Sequence, residues 1–221
     1  MSYRSDPVAA LAELRTGNAR FVANVRTADV VGEVRRAELR DSQQPFAIIL
    51  GCSDSRVPAE IVFDQGLGDL FVIRVAGNIV APSQLGSVEF AIERFGTPLV
   101  VVLGHSRCGA ITATVDVVRG GPAAASRNIM AIVDRIRPAI EPLTTGRRRK
   151  LDDLVAAGVR ANVRASVNQL RHGTANLETL EAAGRLLIVG AEYDLDTGAV
   201  DFFDMPKVRT VAVPARKRPR R

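Results

Sequence analysis

The chain of 221 residues contains no tryptophan and only two tyrosines, two cysteines and two histidines. No run approaches the roughly 20 apolar residues that a membrane span needs, so the sequence predicts no membrane partner. The start, Met1-Ser2-Tyr3-Arg4, has no apolar segment behind it and shows no secretory signal. Two cysteines without an export signal point to a reducing compartment, and the expected location is cytoplasmic. With no tryptophan and no tyrosine inside a basic run, there is no stacking platform for single-stranded nucleic acid. The net charge of +6 is concentrated in Arg147-Arg148-Arg149-Lys150 and in the tail Arg216-Lys217-Arg218-Pro219-Arg220-Arg221. Such runs read as solvated loop and tail, so nucleic acid is not the expected partner.

What is present is a 47% hydrophobic content patterned as alternating strands and helices. Short apolar runs predict strands at 46–51, 70–75, 99–104 and 186–191, with a short antiparallel edge at 199–203. Helical periodicity covers 6–22, with Asp6 as N-cap and Pro7 in the first turn. It recurs around 33–40, 59–63, 83–95, from 109 to about 120, and at 125–142, 151–171 and 174–183. The expected fold is α/β: a mostly parallel central sheet of four strands plus a short antiparallel edge strand, helices on both faces and an N-terminal helical arm. We read 1–221 as one domain, with the arm at 1–45, the core at 46–205 and a basic tail at 206–221.

In open parallel sheets, function gathers at the carboxyl ends of the strands. The first predicted strand ends at Gly51 and delivers Cys52, Asp54 and Arg56; the third ends at Gly104 and delivers His105 and Cys108. Two sulfurs and one imidazole suit one zinc ion, with a fourth position open for water. Cys108 precedes a predicted helix, whose N-terminus favours a thiolate. Gly51, Gly104 and Gly109 would permit close backbone approach. A buried pair of structural cysteines and an unrelated histidine would give the same three letters. Asp54 has two possible jobs: a fourth metal ligand, or a carboxylate paired with Arg56 that accepts a hydrogen bond from water. A loop-capping role would leave the same letters in place.

The segments CSDSRV (52–57), FVIRVAGN (71–78), GSVEFAI (86–92), GHSRCGA (104–110) and, more weakly, GAEYDLDTG (190–198) resemble those of the β-class carbonic anhydrases. The resemblance runs from about Pro7 to about Asp204. It implies one zinc per chain on Cys52, His105 and Cys108, and an Asp54–Arg56 dyad. It also implies the reversible hydration of carbon dioxide to bicarbonate and a proton. By the same resemblance Gln43 donates a hydrogen bond to substrate or bicarbonate, and Phe71 forms an aromatic wall. Phe90 stands where many members have tyrosine, so a hydroxyl role is absent there. The Gly109 backbone N–H would meet a substrate oxygen. The family builds dimers or dimers of dimers, with active sites at the dimer interface and N-terminal helices wrapping the partner. Ile49 stands where some members carry the tryptophan of a bicarbonate regulatory site, so no such site is expected. His172, at a predicted helix end, reads as a surface cap, and no proton shuttle is identified. Carbonyl sulfide or carbon disulfide as substrate, and a non-enzymatic zinc-stabilised scaffold or nucleic-acid binder, are the alternatives to this reading.

Overall fold

The computed structural model describes residues 4–27, 32–122, 126–145 and 149–205. The basic tail, 206–221, and Arg147-Arg148 of the basic run lie outside the described residues. In chain order the elements are α1 (Pro7–Val22), α2 (Glu33–Glu38), β1 (Ala47–Gly51), α3 (Ala59–Val62), β2 (Leu70–Arg74), α4 (Pro82–Phe95), β3 (Leu99–His105) and α5 (Gly109–Val118). They continue with α6 (Arg127–Ile140), α7 (Leu151–Arg171), α8 (Ala175–Ala182), β4 (Leu187–Tyr193) and β5 (Val200–Asp204).

The strands form one sheet in the order β2-β1-β3-β4-β5. Neighbours among β2, β1, β3 and β4 run parallel, and β5 pairs antiparallel with β4. This is the architecture expected from the sequence. β1 and β3 are buried at every position, as central strands covered on both faces must be. The side chains alternate between two layers. Ile49, Val101, Leu103 and Val189 pack with Leu11 and Leu14 of α1 and Val62 of α3. Ile48, Leu50, Val100, Val102 and Ile188 pack with α4, α7 and α8. A third cluster, from α5, α6 and α7, closes over the cysteines.

Local chemistry sets the boundaries. Asp6 caps α1, accepting from the Val8 and Ala9 amides at 2.9 Å each, with Pro7 in the first turn. α4 begins at Pro82 and ends at Gly96, whose φ of 67° is the left-handed cap a glycine adopts freely. β4 runs to Tyr193, two residues past the predicted end, because it pairs with β3 as far as His105↔Tyr193. The helix assigned to an arm, α1, lies on the chain's own sheet. Asn18 there donates to Val62 O and Gly198 O and accepts from the Val200 amide.

Candidate metal centre

β1 and β3 are adjacent and parallel, with Gly51 opposite Leu103. Cys52 therefore comes level with Gly104, and His105 and Cys108 follow just beyond it. The sulfurs of Cys52 and Cys108 lie 4.0 Å apart, and the ligand atoms of Cys52, His105 and Cys108 all fall within 4.8 Å of one another. All three residues are buried. Two sulfurs ~2.3 Å from one tetrahedral zinc would stand about 3.8 Å apart, so the spacing fits.

The imidazole is prepared for a metal. His105 Nδ1 lies 3.0 Å from Ser106 O, and a carbonyl only accepts, so Nδ1 carries the hydrogen. Its other nitrogen, Nε2, is buried with no hydrogen-bond partner. A buried acceptor without a partner is costly unless something positive meets its lone pair.

The thiols do not behave alike. The hydrogen bond between the sulfurs pulls the Cys52 thiol far below the ordinary cysteine range, against the opposing effect of burial. The same contact pushes the Cys108 thiol up, and burial adds to that shift. The pair thus holds one thiolate readily and resists a second negative charge unless a cation joins them. The Gly77 amide also donates to Cys52 Sγ, at 3.4 Å.

Asp54 faces Arg56. Arg56 Nε donates to Oδ1 at 2.9 Å, Nη2 donates to Oδ2 at 2.8 Å, and the Arg56 amide donates to Oδ1 at 3.0 Å. These side-chain bonds hold the Asp54 carboxyl well below the usual carboxylate range, burial opposing them. Asp54 Oδ2 stands 3.8 Å from His105 Nε2, beside the cluster. Arg74, on β2, donates to the Cys52 and Asp54 carbonyls at 3.1 and 2.6 Å and fixes the loop that carries both. Arg74 and Gly77 were missed as site residues, although the motif FVIRVAGN contains both.

The other expected site residues divide by position. Gly109 opens α5 directly after Cys108, on the metal side. Gln43 precedes β1, whose five residues at about 3.3 Å each put it some 16 Å away, at the opposite end of the sheet from Cys52. Phe71 is level with Ile48, four residues and about 13 Å below Cys52. Phe71 packs against Phe95 and Phe90, with ring centroids 6.1 and 6.3 Å away, and Phe90 is 56% exposed. Gln43 and Phe95 line a shared cavity of about 510 Å³. The chain therefore brings together the ligands, the dyad and Gly109, and groups Gln43, Phe71 and Phe90 elsewhere. Of the three glycines expected to permit close approach, only Gly104 needs to be one: a Cβ there would stand 2.6 Å from Val163 of α7. At Gly109 nothing lies within 4 Å, and at Gly51 nothing lies nearer than 4.0 Å.

The fold and this cluster define an α/β protein with two sulfurs and an imidazole arranged for one metal ion. Comparison with known proteins narrows that class. The family model for carbonic anhydrase matches residues 47–200. The carbonic anhydrase of Mycolicibacterium smegmatis is 42% identical over 197 residues, 89% of this chain and 93% of that protein. Carbonic anhydrase 2 of Mycobacterium tuberculosis is 40% identical, over 88% of this chain and 91% of that protein. Among solved structures, the tetrameric β-carbonic anhydrases of Sordaria macrospora share the fold, with a TM-score of 0.66 at 22% identity, over 76% of this chain and 84% of that chain. The chain belongs to the carbonic anhydrase family, in its β class, and is a carbonate dehydratase.

Proposed function

We propose that the protein is a zinc enzyme that hydrates carbon dioxide reversibly through the Asp54–Arg56 dyad. The observation that carries this reading is the 4.0 Å pair of sulfurs beside a buried, unpartnered His105 Nε2. Cys52, His105 and Cys108 would hold one zinc per chain, a donor set that suits this ion. The ion, when bound, supplies the Lewis acidity that makes water nucleophilic near neutral pH.

The chain's own residues do the rest. Arg56 donates to both oxygens of Asp54, keeping the carboxylate charged and held in place beside the cluster. Asp54 then accepts a hydrogen bond from the attacking water and aims its lone pair at the carbon. The Gly109 N–H, at the start of α5, donates to a substrate oxygen. Gln43, Phe71 and Phe90 complete the pocket of a second copy, since they lie far from the cluster of their own chain. The working unit is thus a homodimer or a dimer of dimers. The product proton leaves to buffer. His172 sits on the surface against Glu178 at 2.8 Å, at the end of α7 whose Arg171 bonds Ile188 near the start of β4, opposite the metal end of the sheet. We take 1–221 as one domain acting in the cytoplasm; no described helix is long and apolar enough to cross a membrane.

Metal analysis and stopped-flow hydration test this. The wild type should hold one zinc per chain and hydrate carbon dioxide, and Cys52→Ser should lose both. Full zinc in active Cys52→Ser would remove the proposed ligand set.

A further inference from the structure

We propose that Asn162 and Ser166, on α7, are positioning residues for the sulfur of Cys52, acting through the backbone amide of Gly77. The buried face of α7 is mainly apolar, with Val155, Val159, Val163 and Val167. Asn162 and Ser166 interrupt it, each only 2% exposed. Burying an amide and a hydroxyl is unfavourable unless each finds a partner. Both find one in the same turn, after β2. Asn162 Nδ2 donates to Gly77 O at 2.8 Å, and Ser166 Oγ donates to Asn78 O at 3.0 Å. Four residues apart, they reach from one side of the helix.

That turn is unusual. Gly77 and Asn78 are consecutive residues with positive φ, 70° and 42°. A glycine imposes little direction on its own N–H, because it has no Cβ to restrict rotation. Here the restriction comes from outside: the Gly77 and Asn78 carbonyls are held by donors on α7, and the Asn78 amide donates to Val75 O at 3.0 Å. The Ile136 side chain closes the remaining space, 2.7 Å from where a Cβ on Gly77 would be. The result is an amide held against Cys52 Sγ. An N–H directed at a thiolate withdraws charge from it, and partners of this kind orient and tune metal ligands. The inference rests on the reading of Cys52 as a ligand, and extends it to a helix more than 100 residues further along the chain.

The test uses Asn162→Leu and Ser166→Ala, read by zinc affinity in chelator competition and by the thiolate-to-metal absorption band of the cobalt(II) form at fixed pH. Zinc affinity should fall roughly 10–100-fold in Asn162→Leu and less in Ser166→Ala, with the cobalt band displaced in both. Folded variants with wild-type affinity and an unmoved band, even if they melt earlier, would overturn the proposal by reducing the pair to packing. Should Asn162→Leu fail to fold, Ser166→Ala alone decides by the same two readouts. A wild type that binds neither metal would overturn the ligand reading itself, and this one with it.

Discussion

Asp54 owes its behaviour to a single neighbour. Arg56 bonds both carboxylate oxygens while remaining largely exposed, so the pair orients the carboxylate and adds little to stability. Asp54→Asn keeps the size of the side chain but removes the negative charge and one of the two accepting oxygens that the proposed mechanism uses to aim the water. It should retain zinc and lose roughly 100-fold in hydration rate, the scale of losing one preorganised hydrogen-bond partner at a reacting centre. Stopped-flow assays beside metal analysis check this, and an unimpaired rate would remove Asp54 from the mechanism. The residue types here were legible in the sequence: CxDxR and HxxC name the donors. The choice between Asp54 as ligand and Asp54 as partner of Arg56 was not legible, because both use the same letters. Only the direction of the carboxylate separates them.

At the scale of elements, the docking of α1 decides how the N-terminal part meets the sheet. Asp64 is buried, and burial opposes its charge; the Arg20 side chain at 2.6 Å and the Thr27 hydroxyl and amide outweigh that and lower its pKa. A depressed carboxyl stabilises the fold above its unfolded pKa of about 4 and loses that contribution as pH falls through the lower folded value. Asp64→Asn should therefore cost about 2 kcal/mol near neutrality, a gap that shrinks in acid. Urea unfolding across pH checks it, and a gap that widens in acid contradicts it. Gly17, on the same helix, has its Cβ position 1.8 Å from the Phe63 carbonyl oxygen. Gly17→Ala should force α1 outward and cost about 3 kcal/mol, measurable as a fall in the thermal midpoint; an unchanged midpoint would mean that α1 does not dock as described. The helix itself was readable from Asp6-Pro7 and its apolar spacing. Its resting place on the chain's own sheet was not, since an amphipathic face fits any apolar partner.

At the scale of the molecule, the sheet has a metal end and, about 13–16 Å away, an aromatic side with Gln43, Phe71 and Phe90. A carbon dioxide pocket that needs both must be built across two copies. Phe90 is large and over half exposed, and in the proposed two-copy pocket it is a residue that the second copy would cover. On that proposal Phe90→Arg should abolish the dimer and lower hydration in proportion, as followed by sedimentation and stopped flow. A monomer with full activity would contradict the shared pocket.

The sequence by itself determined the donors, the order of strands and helices, and the loops that carry the chemistry, because residue type and hydrophobic period are local properties. The tertiary structure decided the distances. Cys52 meets Cys108 only because β1 lies beside β3 in the register Gly51↔Leu103, and Asn162 reaches Gly77 only because α7 crosses back over the sheet. Such meetings depend on how finished elements pack, and no stretch of the chain holds that information alone.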